Sequence, residues 1–287
     1  MIVQQHGKAL GTAVVFTLNT PGEQTGRLVL VKIQHFLHDF ENRFSRFLVG
    51  SELTRHNQHA GEWSKATPEF TAFSKVSNEM QDWSEGLYNP FVLPDLQRSG
   101  YVGSMVGSHG REAAVDMRGR EANYSEARIG IQDGSVMVPA GTAFDSGGLG
   151  KGYALDMLAD LVEAEGINDY WISLGGDIIG RGVDETNTPW RVTLEMIDGE
   201  PVVTLATDAR TAVATSSTLK RRGEGWHHLI DPRTGTPSTS AINTVSVVAE
   251  SGVKADVLAK CLLLSDKDAK SFWQRHEAHE VYIQTNE

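Results

Sequence analysis

Between Leu28 and Phe44 the apolar residues Leu30, Ile33, Phe36, Leu37, Phe40 and Phe44 recur every three or four positions, which predicts a helix with a core-facing stripe. A second helix is predicted after Thr67-Pro68. Proline suits a first helical turn, and Phe70, Phe73, Val76, Met80 and Trp83 follow at the same spacing, so these aromatics fit a core better than a ligand stack. Short apolar or alternating runs predict strands at 11–18, around 112–118, 127–131 and 135–138, then at 190–196, 201–207, 211–215, 243–249 and 281–284. The turn-rich segment GLYNPFVLPD connects the early helices to the short strands. A further helix runs from about Leu149 to Glu165, closed by Gly166, and leads into DYWISLGGDIIGRG, read as one strand. Two more helices are predicted at 252–264 and 266–276. Strands and helices mix without regular βαβ alternation. The expected class is therefore α+β, mixed sheets with packed helices in a single large domain over 1–287, rather than a doubly wound parallel sheet.

With 287 residues, 40% of them apolar, the chain can bury a substantial core. Twenty-six Lys and Arg against 37 Asp and Glu give a net charge of -11, and no window is densely basic. Attraction to nucleic acid or to anionic membranes is not expected. The single Cys261 excludes an internal disulfide framework and suits a reducing compartment. The opening MIVQQHGKALGTAVVF lacks a long apolar stretch after a basic start, and no run reaches the roughly 18 apolar residues of a membrane span. A cytoplasmic chain without a membrane anchor is expected.

The densest chemistry lies in FDSGGLGKGYALD, Phe144 to Asp156, where an acid, a glycine cluster and a lysine stand at a strand-to-helix transition. Backbone N–H groups at Gly147, Gly148 and Gly150, the helix dipole and the Lys151 ammonium would together stabilise an anion. Neither familiar fingerprint fits. A P-loop would need glycine at Asp145 and Ser or Thr at Gly152, and the alternating Gly148, Gly150 and Gly152 lack the spacing of a dinucleotide-binding turn. A phosphate site and a merely tight turn both remain open at this level.

Three more glycine- or acid-rich blocks follow: SLGGDI, HHLIDPRTGTP and ESGVKADVLAK. Each falls at a predicted element end, where ligand sites form. His228 is either a base for a hydroxyl nucleophile or a hydrogen-bonded structural histidine. Asp231 suits an Asx turn, and Arg233 either a phosphate or solvent. Asp256 and Lys260, four apart on a helix that Ser251 would cap, make either a surface pair or the edge of a magnesium site. HEAHE, His276 to Glu280, resembles a zinc motif, but its histidines are three apart rather than four.

The four blocks in this order resemble the ApbE family of FAD:protein FMN transferases. LGTAVVF, ENRFSRFLVGSELTRHN and the GLYNPF block extend the resemblance to about residues 10–265. The resemblance implies an ApbE-like, T-fold-related architecture and an enzyme that cleaves the FAD pyrophosphate. It would transfer FMN to a Ser or Thr hydroxyl of an acceptor flavoprotein and release AMP. Mg2+ is the cofactor it implies. Carried over, Asp145, Gly147, Gly148 and Lys151 bind the flavin nucleotide, as do Gly175, Gly176 and Asp177 of SLGGDI. Gly148 and Asp256 match metal positions, and His228 matches the catalytic base. The chain departs from the family pattern at Lys260, which stands where a metal-binding threonine is usual, and at Leu10, where methionine is usual. Two outcomes follow for Lys260. It leaves a transferase with altered metal dependence, or it leaves a protein that only binds FAD; hydrolysis of FAD to FMN and AMP is a third reading.

Overall fold

The computed structural model describes residues 1–101, 103, 115–117, 126–195, 201–276 and 278–285. They form two compact units: Met1–Asp39, Gly150–Ser217 and Ala241–Glu287 in the first, Phe40–Leu149 and Thr218–Ser240 in the second.

The first unit is built on a seven-stranded sheet of β1 (Ile2–Ala9), β2 (Thr12–Asn19), β3 (Asp169–Leu174), β4 (Asp177–Arg181), β5 (Thr211–Ser217), β6 (Ile242–Ala249) and β7 (Glu280–Thr285). Its spatial order follows the chain order, and every neighbouring pair is antiparallel. That pattern gives the α+β class physical content, because no crossover between parallel strands is required. Three helices accompany the sheet: α1 (Glu23–Phe44), α2 (Gly150–Ala164) and α3 (Gly252–Ser265). All eight residues of β6 are buried, and α3 is apolar nearly all round, as expected of an element packed on several sides. It lies against α2, β5 and β6. A hairpin of Arg191–Thr193 and Val202–Thr204 adds Leu194, Val203 and Leu205 to a core cluster with Val213 and Val248.

The predicted helices and strands recur with shifted ends. The first helix starts five residues earlier than its apolar stripe, and its Leu30, Ile33, Leu37, Phe40 and Phe44 are buried. DYWISLGGDIIGRG is a hairpin rather than one strand: Gly175 and Gly176 both adopt positive φ, 66° and 95°, and pair Leu174 with Asp177 across a two-residue turn. No element was expected at 2–9, where β1 lies; its outward polar residues hide the alternation. Segment 266–276 splits into a short 3-10 turn, Asp266–Asp268, and a helix, Ala269–Arg275. Of the strand expected around 112–118, residues 115–117 are irregular and the others lie outside the described residues. No described helix is long and apolar enough to cross a membrane.

The second unit packs the helices Glu52–Gln58, Pro68–Trp83 and Leu93–Arg98 with a small sheet of Ser64–Lys65, Gly130–Gln132 and Ser135–Met137. Phe44, Phe70, Phe73 and Phe144 form an aromatic cluster, with ring centroids 4.5 Å apart for Phe44 and Phe73 and 5.5 Å for Phe73 and Phe144. Phe70 and Phe73 thus serve the core, and the first residue of the glycine motif is anchored there.

Candidate functional site

In the second unit, the segment that resembles ENRFSRFLVGSELTRHN clamps the start of the glycine motif. The Asn57 amide brackets the Phe144 backbone, donating to its carbonyl and accepting from its N–H, both at 2.8 Å. Ser146 Oγ donates to the Phe44 carbonyl at 2.7 Å, and the Asp145 N–H donates to the Pro90 carbonyl at 2.8 Å. Asp145 then caps the 3-10 turn Ser146–Gly148 by accepting the Gly147 N–H at 3.1 Å. Arg46 lies 3.4 Å from the same carboxylate oxygen, and both side chains are buried. Its guanidinium also sits over the rings of Phe47 and Tyr101, 4.5 and 5.0 Å from their centroids. Arg46 was not among the expected site residues. Its mark in the sequence was its place in RFSRF, inside the segment that carries part of the family resemblance.

The two histidines of HHLIDPRTGTP separate. His227 Nδ1 accepts the Leu229 N–H at 3.3 Å, so its Nε2 carries the proton that meets the Ser238 carbonyl at 2.9 Å. Both ring nitrogens of His227 are thus engaged within its own loop. His228 is half-buried, its ring 6.3 Å from that of Tyr101 in an edge arrangement. Asp231 accepts the Arg233 N–H at 2.9 Å, the Asx-turn geometry, and its carboxylate also holds the Arg233 guanidinium. Arg233 is therefore paired within its own turn.

In the first unit, Lys151, Asp177, Asp256 and Lys260 come together around the N-terminus of α2. Lys151 Nζ forms an ion pair with Asp177 Oδ2, while Asp177 Oδ1 accepts the Thr215 N–H at 3.0 Å. The glycine turn before β4 delivers Asp177 to this point. Asp256, 2% exposed, accepts the Gly152 N–H on Oδ2 at 3.2 Å and contacts Lys260 Nζ through Oδ1. Burial pulls the Asp256 carboxyl upward, yet the ammoniums of Lys260 and Lys151 outweigh it and hold the group below the ordinary aspartate value. Asp256 and Lys260 are thus a buried pair, not a surface one.

A reciprocal arrangement fixes these residues. Asp156, on α2, accepts the N–H groups of Gly252 and Val253 at 2.6 and 3.0 Å, capping α3 as Asp256 of α3 serves α2. Burial holds the Asp156 carboxyl above its usual value, offset only in part by the two donors. The helices approach through Gly152 and Gly252, where a Cβ on Gly152 would stand 2.3 Å from the Gly252 carbonyl oxygen. The glycine that disqualified the P-loop is therefore a helix-crossing residue, and Asp156, whose only sequence mark is its place four positions after Gly152, is the other half of that crossing.

Of the three N–H groups expected to hold an anion, that of Gly147 is filled by the chain's own Asp145 carboxylate, and the neighbouring Gly152 N–H is likewise filled by Asp256. Both carboxylate oxygens of Asp256 are already engaged, one by the Lys260 ammonium and the other by a backbone donor, so a divalent ion there would have to displace or sit against that ammonium. In this arrangement the donor set does not fit magnesium. In the HEAHE segment, His276 is buried, bonds the Phe272 carbonyl at 2.7 Å and stacks on the Phe272 ring.

The ApbE family model matches residues 10–283. A FAD:protein FMN transferase of Vibrio cholerae is 26% identical over 284 residues, covering 93% of this chain and 82% of that protein. Another from Escherichia coli K12 is 33% identical over 145 residues, 48% of this chain and 41% of its own. Among solved structures, the flavin transferase ApbE of Vibrio cholerae superposes with a TM-score of 0.82 at 22% identity, over all of this chain and 95% of that one. The ApbE protein of Thermotoga maritima gives 0.83 at 23% identity, over all of this chain and 97% of that one. At that identity the structures speak to the fold, and the fold agrees.

Proposed function

The chain belongs to the ApbE family, and on that premise we propose that it is a FAD:protein FMN transferase. The observation that carries the reading is the match across nearly the whole chain to a relative of that name. In the reaction, a Ser or Thr hydroxyl of an acceptor flavoprotein attacks the phosphorus of the FMN half of FAD. An O–P bond forms to the acceptor, the bond from that phosphorus to the bridging oxygen breaks, and AMP leaves with the bridging oxygen.

Phosphoryl transfer requires charge compensation and positioning more than covalent participation by the protein. Lys151 supplies a cation at the start of α2, oriented by Asp177 and, through the turn at Gly175 and Gly176, by the sheet. Asp145, with Gly147 and Gly148, shapes the turn that binds the nucleotide, and Arg46 fixes the Asp145 carboxylate. His228 accepts the proton of the attacking hydroxyl, the role that the family resemblance implies for it, while His227 has both ring nitrogens engaged within its own loop. Mg2+ would contribute further charge on the phosphates of a family member whose Asp256 counterpart is free to bind it.

The test is incubation with FAD, with and without a candidate acceptor flavoprotein, reading AMP by chromatography and covalent flavin by in-gel fluorescence. Acceptor-dependent AMP with fluorescent acceptor is expected. AMP without acceptor would assign hydrolysis instead, and no AMP in either arm would leave a binding protein.

A further inference from the structure

We infer that Lys260 is a built-in replacement for a metal ion, an ammonium tethered to α3 that provides beside Asp256 the positive charge a divalent cation would bring. The inference rests on the FMN-transfer reading and specifies its cofactor requirement: this chain turns over FAD without a metal ion.

Lys260 Nζ contacts two oxygens of one residue. It meets Asp256 Oδ1, and it donates to the Asp256 carbonyl at 3.0 Å. A cation held by a side-chain and a main-chain oxygen of the same aspartate sits as a coordinated ion would, with hydrogen bonds in place of coordination bonds. The second carboxylate oxygen is committed to Gly152 N–H, a bond that belongs to the helix crossing and cannot be released without disturbing α2 and α3.

Charge counting leads to the same place. Asp177 and Asp256 contribute two negative charges, Lys151 and Lys260 two positive ones, and the pairs are closed. A divalent ion on Asp256 would have to expel Lys260 from a mostly buried seat and would leave two ammoniums and a dication around two carboxylates. Like charges in a poorly solvated place oppose that exchange. The tether also means that Lys260 needs no ion from solution.

The substitution sets a chemical limit. An ammonium offers one charge and hydrogen-bond donors, but it cannot acidify a bound water as a metal does. It suits a transfer in which the nucleophile is a hydroxyl deprotonated by a side chain. Hydrolysis through a metal-activated water is outside its reach.

Binding of Mn2+ alone, read from the electron paramagnetic resonance signal of the free ion, tests this without relying on turnover. The chelator-treated wild-type protein, with and without FAD, is expected to show no saturable site below millimolar Mn2+, and a one-to-one micromolar site would overturn the inference. Lys260→Thr is expected to gain a site at least about tenfold tighter than any in the wild type. A folded Lys260→Thr protein without that gain would also overturn it; if that variant does not fold, the wild-type titration decides alone. AMP release by the wild type should be equal in chelator and in magnesium. Absence of AMP under all conditions would count against the FMN-transfer reading and leave the manganese result standing by itself.

Discussion

Asp156 and Asp256 each accept the backbone N–H of a glycine four residues before the other: Asp256 takes that of Gly152, and Asp156 that of Gly252. The two helices therefore cap one another across a glycine crossing, and the first turn of α2 is set by residues about a hundred positions away.

Gly152→Ala is expected to destabilise the protein by about 1–3 kcal/mol, since the new methyl meets the Gly252 carbonyl of the facing helix, which cannot rotate away as the end of a flexible side chain could. Gly252→Ala meets the Gly152 carbonyl in the same way. Because both push the same two helices apart, the double variant should lose less than the sum. Urea unfolding followed by tryptophan fluorescence measures this; unchanged midpoints would show that the crossing is looser than described.

Lys151→Met should act on both stability and binding. It leaves the buried Asp177 carboxylate with only the Thr215 N–H as its described partner, a loss of about 3–5 kcal/mol for a broken buried pair. Replacing both residues by Lys151→Met and Asp177→Asn, whose neutral amide oxygen can still accept the Thr215 N–H, should restore most of the stability. FAD affinity should stay down in both variants, by about 2 kcal/mol or roughly thirtyfold, as for a lost charged hydrogen bond. Recovery of affinity in the double variant would remove Lys151 from the binding set.

His228→Ala is expected to lower kcat for FMN transfer by about a hundredfold or more while leaving the Kd for FAD unchanged. His227→Ala should do the opposite. It strands the Leu229 N–H and the Ser238 carbonyl, costing about 1–2 kcal/mol of stability with little change in kcat. A matched loss of kcat in both variants would deny His228 its separate role.

Acid stability should depend on Glu163. Its carboxylate is held down to about 2 from 4.5, mainly by the hydrogen-bonding guanidinium of Arg210, with Tyr170 donating as well. The folded value lies below the unfolded one, so the stabilisation is complete above pH 4.5 and is lost as pH falls toward 2. Allowing for partial solvent screening, the contribution is on the order of 2 kcal/mol. Arg210→Ala should reduce stability near neutral pH and flatten the acid limb. Parallel wild-type and variant curves from about pH 6 to about pH 3 would refute the assignment.

Local pattern carried much of this protein. Three- and four-residue spacing marked α1 and the helix Pro68–Trp83, because helix faces are set by neighbours within a turn or two, while α2 was marked by the glycines that bound it. The four blocks, in order, carried the family. Asp145, Lys151 and Asp256 stood out as candidate chemistry among glycines at element ends, but the sequence left a purely structural use open for each, and the structure shows Asp145 and Asp256 accepting backbone N–H groups. The hairpin at Gly175 and Gly176 was not, since a buried strand pair joined by two residues reads as one apolar run.

By itself, then, the sequence determined the class of the fold and the family, and it singled out candidate chemical groups. Only the tertiary structure decided what those groups face. Asp256 and Lys260 have the spacing of a solvent-exposed pair, and four residues on a helix look the same in water or in a core. Burial by α2 and the sheet made the pair a sealed one, the Gly152 to Gly252 approach gave Asp256 a backbone partner 104 positions away, and that contact left Lys260 as its cation. Contacts at such separation are fixed by packing, which no window of the chain contains.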